Sequence, residues 1–286
     1  MKNTIKTAGK RIRNYMKQDP VGFISLLLIL VFVFLAVFAD VIAPYGINET
    51  QYTTPKAAPS AEHICGTDEL SRDIFSRILY ASRISLFIGF APTTVNLIIG
   101  TLLGMIAGMT SHKWLDTCIM RLVDIVLSYP FMILAMAIVY NLGASTKNMF
   151  LALILVGWAG TARTVRAQTL SLKNSTFIEA ARSMGVSKWK IMRKHILPNI
   201  RSMLLVLYTM SIPVAILSEA GLSFLGFGAQ PPQTSLGVMV SKGRTYLFDA
   251  PWISLAPAIY ILMLSLCLNF FGDSLRDMLD PKRTVR

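Results

Sequence analysis

The chain has 286 residues, of which 53% are hydrophobic and only 15% are charged, with a formal net charge of +13. A soluble domain carries about a quarter charged residues, so this composition indicates a membrane protein. The three cysteines, Cys65, Cys118 and Cys267, lie far apart without a CxxC or Cys/His cluster, which argues against a disulfide framework and a zinc site.

Uncharged runs along the chain predict six transmembrane helices, because a helix needs roughly 20 apolar residues to cross the hydrocarbon core of a bilayer. We expect the fourth run to extend past Arg163 and Arg166, whose long side chains can reach the interface. The first run is longer than the apolar region of a typical signal peptide, so we expect it to remain as a membrane helix. The runs cover residues 21–39, 84–109, 125–146, 148–162, 202–218 and 250–272.

The distribution of lysine and arginine predicts the orientation of these helices. With the N-terminus inside, 21 of the 28 basic residues fall in the inner segments and 7 in the outer segments. Cytoplasmic loops typically carry this excess. The net charge then reflects topology and contact with anionic lipids, without any need for nucleic acid, and both termini are predicted to be cytoplasmic.

Two features of the first outer loop and the second helix have alternative interpretations. His63 and Cys65 are potential metal ligands without a third, so we predict no metal site there. Gly100, Gly104 and Gly108 are spaced four apart on one helix face, which lets helices approach closely. We interpret the glycines as helix-packing residues, with a subunit interface or a pore-lining face as the alternative.

Acidic residues at the helix ends are also open to two interpretations. Asp124 follows Arg121 by three residues, which predicts an ion pair within the third helix rather than a proton relay. Glu219, at the outer end of the fifth helix, either contacts substrate or marks the interface. Residues 220–241 are uncharged but rich in glycine and proline, so we expect an outer loop that re-enters the membrane against protein.

Residues 176–198 form a charged, helix-forming stretch between the fourth and fifth apolar runs. Thr176 and Glu179 fit a capping box that begins a helix, and Gly185 fits a left-handed helix end. Ser187 fits the start of a second, basic helix, and Pro198 predicts a break before the fifth membrane helix.

The first of these short helices has a predicted apolar face. An exposed apolar face with basic flanks either docks on a partner or lies on the membrane surface, and the spacing alone does not separate the two. The face consists of Phe177, Ile178, Ala181 and Met184.

This stretch resembles the EAA loop of bacterial ABC-importer permeases, and its His-Ile-Leu-Pro-Asn end is similar to that of the dipeptide/oligopeptide/nickel group. The matching residues are Glu179, Ala180, Ala181, Gly185 and the run His195-Ile196-Leu197-Pro198. Three further stretches resemble the C-type permease of that group in the same order and spacing. They are residues 66–77, 222–232 and 272–281.

The chain departs from the family pattern on the predicted outer side. Ser71 stands where the family usually has glycine, which leaves the conformation of that turn open. The other departures are Cys65 and residues 233–237, which lack the usual proline and tryptophan. These differences put the substrate and binding-protein contacts in question, while the resemblance extends over residues 63–281.

The resemblance implies an all-α permease with six transmembrane helices and a cytoplasmic coupling helix, residues 176–184, between the fourth and fifth of them. It implies four kinds of partner: a second, homologous permease, two ATPase subunits, an extracytoplasmic substrate-binding protein and the lipid bilayer. The implied ATPase-coupling residues are Phe177, Glu179, Ala180, Ala181, Gly185, His195 and Pro198.

The resemblance also implies a transporter subunit without catalytic residues, in the bacterial cell membrane. Because the chain has no GxxxxGK[ST] motif, ATP and Mg²⁺ would be bound by the partner ATPases, and this chain is expected to bind no cofactor. The implied division is a cytoplasmic N-terminal segment (1–20), a first helix with an outer loop (21–83), a core permease domain (84–272) and a cytoplasmic tail (273–286).

Two questions stay open at the level of the sequence. Peptides are the leading substrate, with nickel or another metal chelate as the alternative, because the group covers both. An intramembrane aspartyl enzyme that uses Asp124 and Asp273 is a rival, although no GxGD or HExxH motif is present. A carrier or channel that works alone would need charged or polar residues in the middle of the membrane, and the six runs have almost none.

Overall fold

A computed structural model of the protein describes residues 19–50 and 54–279. Most of the predicted N-terminal segment (1–20) and the end of the predicted tail (273–286) lie outside the described residues. Within the described part of the chain the regular structure is helical and contains no strand, which confirms the predicted all-α class.

Long helices dominate the described chain. Five of them, α1, α2, α5, α7 and α9, are long and apolar enough to cross a membrane, and the bent pair of α3 and α4 makes a sixth span if the two helices cross as one unit. The helices are α1 (Pro20–Val37), α2 (Ile74–Met109), α3 (Lys113–Leu127), α4 (Phe131–Leu142), α5 (Thr146–Lys173), α6 (Thr176–Ser183), α7 (Lys188–Phe224), α8 (Leu236–Gly243) and α9 (Trp252–Leu279).

The third predicted span is not one helix, which corrects the prediction for residues 125–146. Helix α3 ends at Leu127, α4 begins at Phe131, and the two axes differ by 90°. Proline has no backbone N–H and its ring clashes with a preceding helical turn, so α3 does not continue through Pro130, whose ψ of 128° places it just before the first turn of α4.

Helix α2 begins at Ile74, well before the predicted start at residue 84. The carboxylate of Asp73 accepts a hydrogen bond of 2.7 Å from the backbone N–H of Ser76 and so caps this helix. The prediction from uncharged runs missed the first turns of the helix because they contain charged residues. One of these, Arg77, is nevertheless buried against the rest of the chain. The predicted extension of the fourth span past Arg163 is confirmed, since α5 runs to Lys173.

Helix α7 is continuous through Pro198, so the predicted break at this residue is wrong. Residues Met192–Ile196 form a π-helical turn in which the N–H of Leu197 bonds to the carbonyl of Met192. The wider turn accommodates the proline ring that a regular α-helix would exclude. The side-chain amide of Asn199 donates a 2.6 Å hydrogen bond to the carbonyl oxygen of His195 in this turn.

Helix α2 lies at the centre of the bundle, where it packs along α5 and also contacts α7, and α9 packs on α1, α7 and α8. The predicted outer loop at residues 220–241 is only partly irregular. Its first residues continue α7 to Phe224, Gly226 then turns with a positive φ of 90°, and the buried helix α8 follows. This segment therefore packs against the rest of the protein, as predicted, but through a helix rather than a loop.

The three glycines of α2 lie on the face that meets α5. A Cβ atom at Gly104 would come within 2.6 Å of the carbonyl oxygen of Ala162, and one at Gly108 within 2.7 Å of the Cβ of Thr169. Gly100 meets α5 one turn earlier in the same way. The absence of side chains at these positions permits the close approach of the two backbones.

We predict opposite effects of the same substitution at two helical glycines. Gly104→Ala places a methyl group against a backbone oxygen, so we expect a loss of about 1–3 kcal/mol in the free energy of unfolding. Gly160→Ala in α5 is the matched control, because its Cβ meets nothing within 4 Å and alanine favours the helix by about 0.5–1 kcal/mol.

Thermal unfolding in detergent micelles measures both variants. We expect Gly104→Ala to lower the midpoint temperature and Gly160→Ala to leave it unchanged or raise it. Equal midpoints for the two variants would contradict the packing of α2 against α5.

Candidate functional site

The segment between α5 and α7 was predicted as the docking feature, and the structure gives it a helix followed by a glycine turn. The helix begins at Thr176, as predicted, but Ser175 is its N-cap residue and Thr176 is already helical. The predicted capping box of Thr176 and Glu179 is therefore wrong. The hydroxyl of Ser175 instead donates a 2.6 Å hydrogen bond to the carbonyl of Leu172, in the last turn of α5.

The end of α6 has the predicted left-handed glycine. Gly185 has a φ of 76°, and its N–H bonds to the carbonyl of Arg182. The N–H of Val186 reaches back to the carbonyl of Ala181 at 3.1 Å, which completes a Schellman motif. Helix α7 then begins after Ser187, as predicted.

The predicted apolar face of α6 is divided between two sides of the helix, which corrects the prediction of a single exposed face. Ile178 and Ala181 are buried in a cluster with residues of α2, α5 and α7. The side chains of Phe177 and Met184 are 42% and 76% exposed. The buried pair anchors α6 to the bundle, and the exposed pair is free for another surface.

We define the α6 surface as the exposed residues Phe177, Glu179, Ala180, Arg182 and Met184. Of the other predicted coupling residues, Gly185 is exposed at the end of this surface, with open space around its Cα. Ala181 is buried beneath α6 and cannot touch a partner directly. His195 is half-buried in the π-helical turn, and Pro198 is exposed on α7.

Lysine contacts fasten the segment to the neighbouring end of α2. The ammonium group of Lys173 donates to the carbonyls of Gly108 (3.3 Å) and Thr110 (3.2 Å). The ammonium group of Lys188 donates to the hydroxyl of Ser111 at 2.7 Å. These hydrogen bonds tie the end of α5 and the start of α7, the two helices that flank α6, to the end of α2.

Two ion pairs join α3 to α5. Asp124 lies 2.6 Å from Arg163, so the predicted pair with Arg121 is wrong, because the carboxylate reaches across to the neighbouring helix. Both side chains are about half exposed, and such a pair contributes little to stability. The bidentate pair of Arg166 and Asp116, with N–O distances of 2.5 and 2.6 Å, was not predicted, since it links residues 50 positions apart.

At the opposite end of the bundle, Glu219 is fully buried, so it neither contacts an open substrate space nor marks an exposed interface in this conformation. Its carboxylate accepts hydrogen bonds from the hydroxyls of Ser85 (2.9 Å) and Ser223 (2.7 Å). Ser223 also lies 3.2 Å from the hydroxyl of Ser235, the residue before α8. The carboxylate thus connects α2, α7 and the start of α8.

His63 and Cys65 lie near this end but are not arranged as metal ligands. The Nδ1 atom of His63 is 3.0 Å from the carboxylate of Asp73, the residue that caps α2. Burial raises the pKa of the Cys65 thiol, which favours its protonated form. Across residues 19–50 and 54–279, no group of three or more His, Cys, Asp and Glu side chains could hold a metal ion.

The turn before α2 contains the departure at Ser71. This residue has a φ of 56°, so serine here adopts the left-handed conformation that glycine normally supplies. Arg72 is held by Asp68 through a side-chain hydrogen bond of 2.7 Å, and Arg77 lies 3.5 Å from the same carboxylate. With serine in place of the usual glycine, the turn therefore keeps its left-handed residue, and ion pairs of Asp68 with Arg72 and Arg77 hold it.

Comparison with known proteins connects this architecture to transport. Residues 100–285 match the family described as the binding-protein-dependent transport system inner membrane component. Residues 7–59 match the N-terminal transmembrane domain of oligopeptide transport permease C.

Similar proteins carry related names. A dipeptide transport system permease protein of Alkalihalophilus pseudofirmus is 41% identical over 93% of this chain and 88% of its own length. A glutathione transport system permease protein of Pectobacterium atrosepticum is 40% identical over 94% and 89%, and an oligopeptide transport system permease protein of Haemophilus influenzae is 38% identical over 91% and 84%.

The solved structures contain a similar fold. An inward-facing form of the methionine ABC transporter MetNI superposes with a TM-score of 0.56 over 71% of this chain and 96% of that chain. The sequence identity is 20%, so this likeness concerns the fold alone.

We predict that Glu219 stabilises the contact between α8 and the bundle. In Glu219→Ala the hydroxyls of Ser85 and Ser223 lose a buried acceptor, which we expect to cost about 1–3 kcal/mol in the free energy of unfolding. Glu219→Gln is the matched control, because the amide keeps the shape and an acceptor oxygen. Thermal unfolding in detergent should show a clear loss for alanine and a smaller one for glutamine, and an unchanged midpoint for alanine would contradict the structural role.

Proposed function

The chain belongs to the family of binding-protein-dependent transport system inner membrane components and is an ABC-importer permease of the dipeptide/oligopeptide type. We propose that it imports peptides as part of a complex that is driven by separate ATPase subunits. The observation that carries the coupling part of the proposal is the construction of α6. Its inner side is buried in the bundle, while Phe177 and Met184 remain exposed.

This construction supports docking on a partner rather than adsorption to lipid. A membrane-surface helix needs its apolar residues on one side, whereas α6 has buried its own Ile178 and Ala181 and presents a mixed surface. The exposed apolar residues stand beside Glu179 and Arg182, as in an interface with an apolar centre and a polar rim. A helix held at both ends can transmit a displacement of the partner into the bundle.

The remaining partners follow from the family. We propose a second, homologous permease beside this chain, two ATPase subunits that bind ATP and Mg²⁺ below α6, and an extracytoplasmic protein that delivers the substrate to the opposite end. The excess of lysine and arginine supports a cytoplasmic position for α6 and for both termini. Glu219 and α8 then lie on the side of the binding protein.

Peptides are the proposed substrates. The relatives described above are named for dipeptide, oligopeptide and glutathione transport, and glutathione is itself a tripeptide. These names favour peptides over the alternative of nickel or another metal chelate. The rival of an aspartyl enzyme has no support from the geometry, because the carboxylate of Asp124 is paired with Arg163.

We predict that Met184→Ala weakens binding of the ATPase subunits. Removal of this 76% exposed side chain takes an apolar contact from the proposed interface, and we expect the amount of ATPase that co-purifies with the permeases to fall about tenfold. Met278→Ala is the matched control, since Met278 is 60% exposed near the end of α9 and is not part of the α6 surface. Equal recovery of ATPase with both variants would contradict docking on α6.

We also predict that Gly185→Val uncouples ATP hydrolysis from uptake. The Cβ of valine would meet open space, so the variant acts only through the left-handed backbone, at a cost of about 1–2 kcal/mol. We expect uptake of a labelled peptide to fall about tenfold while ATP hydrolysis and membrane insertion persist. Gly185→Asn, which tolerates this conformation, should retain most of the uptake, and normal uptake by Gly185→Val would refute the role of the turn.

A further inference from the structure

A partly open cavity of about 320 Å³ lies between α2, α5, α7 and the break that separates α3 from α4, and Gly160 and Ser211 in its lining are exposed. Thr93 and Asn96 of α2, Gly160 of α5 and Ser211 of α7 line it, and Phe131, the first residue of α4, closes one side. This cavity was not anticipated from the sequence, because it depends on the bend at the α3–α4 junction.

The cavity lies near the middle of the membrane-spanning helices. The lining residues named on α2, α5 and α7 are each more than ten residues, or about 15 Å, from either end of their helix. The hydrocarbon core of a bilayer is about 30 Å thick, so these positions lie close to its centre. Interrupted helices at this depth commonly form substrate sites in transporters.

The polar groups of the lining offer mainly hydrogen-bond acceptors. The hydroxyl of Thr93 donates to the carbonyl of Gly89, and that of Ser211 donates to the carbonyl of Leu207, both at 2.6 Å. Their protons are therefore used within the helices, while their oxygen lone pairs remain for another donor. Such a lining suits a ligand that brings N–H groups.

Asn96 also offers a hydrogen-bond acceptor, and this acceptor has no partner. Its amide nitrogen donates to the carbonyl of Leu153 at 3.1 Å, whereas its Oδ1 atom is buried without a hydrogen-bond partner. A buried acceptor without a hydrogen-bond donor costs free energy, so such an atom is unusual in a residue that has only a structural role. A donor that enters the cavity in another conformation of the transporter would satisfy it.

Charge is absent from this lining. None of the lining residues in the described part of the chain is charged, and Arg163, one turn beyond Gly160, is paired with Asp124. An isolated charge moved from water into such a site pays a large desolvation cost. The lining therefore favours uncharged polar groups over a charged metal chelate.

Two glycines of α5 keep the cavity open. A side chain at Gly157 would collide with the amide of Asn96, whereas a Cβ at Gly160 would meet nothing within 4 Å and would point into free space. Leu155 lies on the opposite face of α5 and is 53% exposed outside the bundle. A larger side chain at Gly160 would therefore fill the cavity, and a substitution at Leu155 on the same helix serves as the control.

We propose that this cavity is a binding site on the transport path for the backbone amide groups of a peptide cargo, and that Gly160 sets its clearance. The proposal rests on the proposed function as a peptide importer. The cavity holds the uncharged, amide-bearing part of the cargo, and Thr93, Asn96 and Ser211 accept its N–H groups as it crosses the middle of the bilayer.

Uptake by the complete complex, with its binding protein and ATPase subunits in proteoliposomes, tests the proposal with labelled trialanine as the probe. We expect Gly160→Leu to reduce uptake at least about tenfold, while Leu155→Ala stays within about twofold of wild type. Absence of ATP-dependent uptake by wild type would refute the proposed peptide import itself. Normal uptake by Gly160→Leu, with wild-type uptake intact, would overturn only the assignment of the cavity.

A second measurement keeps the proposal falsifiable if Gly160→Leu fails to assemble. Gly160→Cys and Leu155→Cys are treated in the complete complex with a water-soluble methanethiosulfonate, and peptide mass spectrometry locates the adducts, so the native cysteines can remain. We expect Cys at position 160 to react and to be protected at least about fivefold by saturating trialanine, and Cys at position 155 to show no protection. An unreactive or unprotected position 160 would overturn the proposal.

Discussion

The close contact between α2 and α5 is the constraint on which the rest of the structure depends. Because Gly104 and its neighbours at 100 and 108 have no side chains, the backbone of α2 lies directly against the carbonyl of Ala162 on α5. The contact brings the last residues of α2 beside Lys173, whose ammonium group binds the carbonyls of Gly108 and Thr110. It also holds two walls of the central cavity at a set separation.

The coupling segment depends on this packed core for its rigidity. Ile178 and Ala181 enter the cluster formed by the ends of α2, α5 and α7, so α6 is fixed by burial, and the Schellman turn at Gly185 fixes its exit. Protein interiors are close-packed and transmit small shifts as rigid-body movements. In the proposed importer, a movement of the ATPase subunits against Met184 would therefore reach the helices that line the cavity.

The two prolines show why local rules were not sufficient. Pro130 breaks its helix by 90°, whereas Pro198 lies within a continuous helix, although the same missing donor and the same ring are present in both. At Pro198 the preceding turn widens to π-helical geometry and Asn199 supplies a donor to the carbonyl of His195. The outcome is decided by what surrounds each proline, and the break at Pro130 went unpredicted because the apolar run continues through it.

The sequence by itself determined the all-α membrane class, the left-handed turn at Gly185 and the family, because hydropathy, a positive φ and contiguous motifs are properties of neighbouring residues. Only the tertiary structure decided the partners of charged and polar side chains. Asp124 reaches Arg163 across 39 positions, and Glu219 reaches Ser85 across 134, because helices that are distant in the chain pack side by side. The same packing, together with the bend before Phe131, forms the cavity, whose lining no single segment of the chain contains.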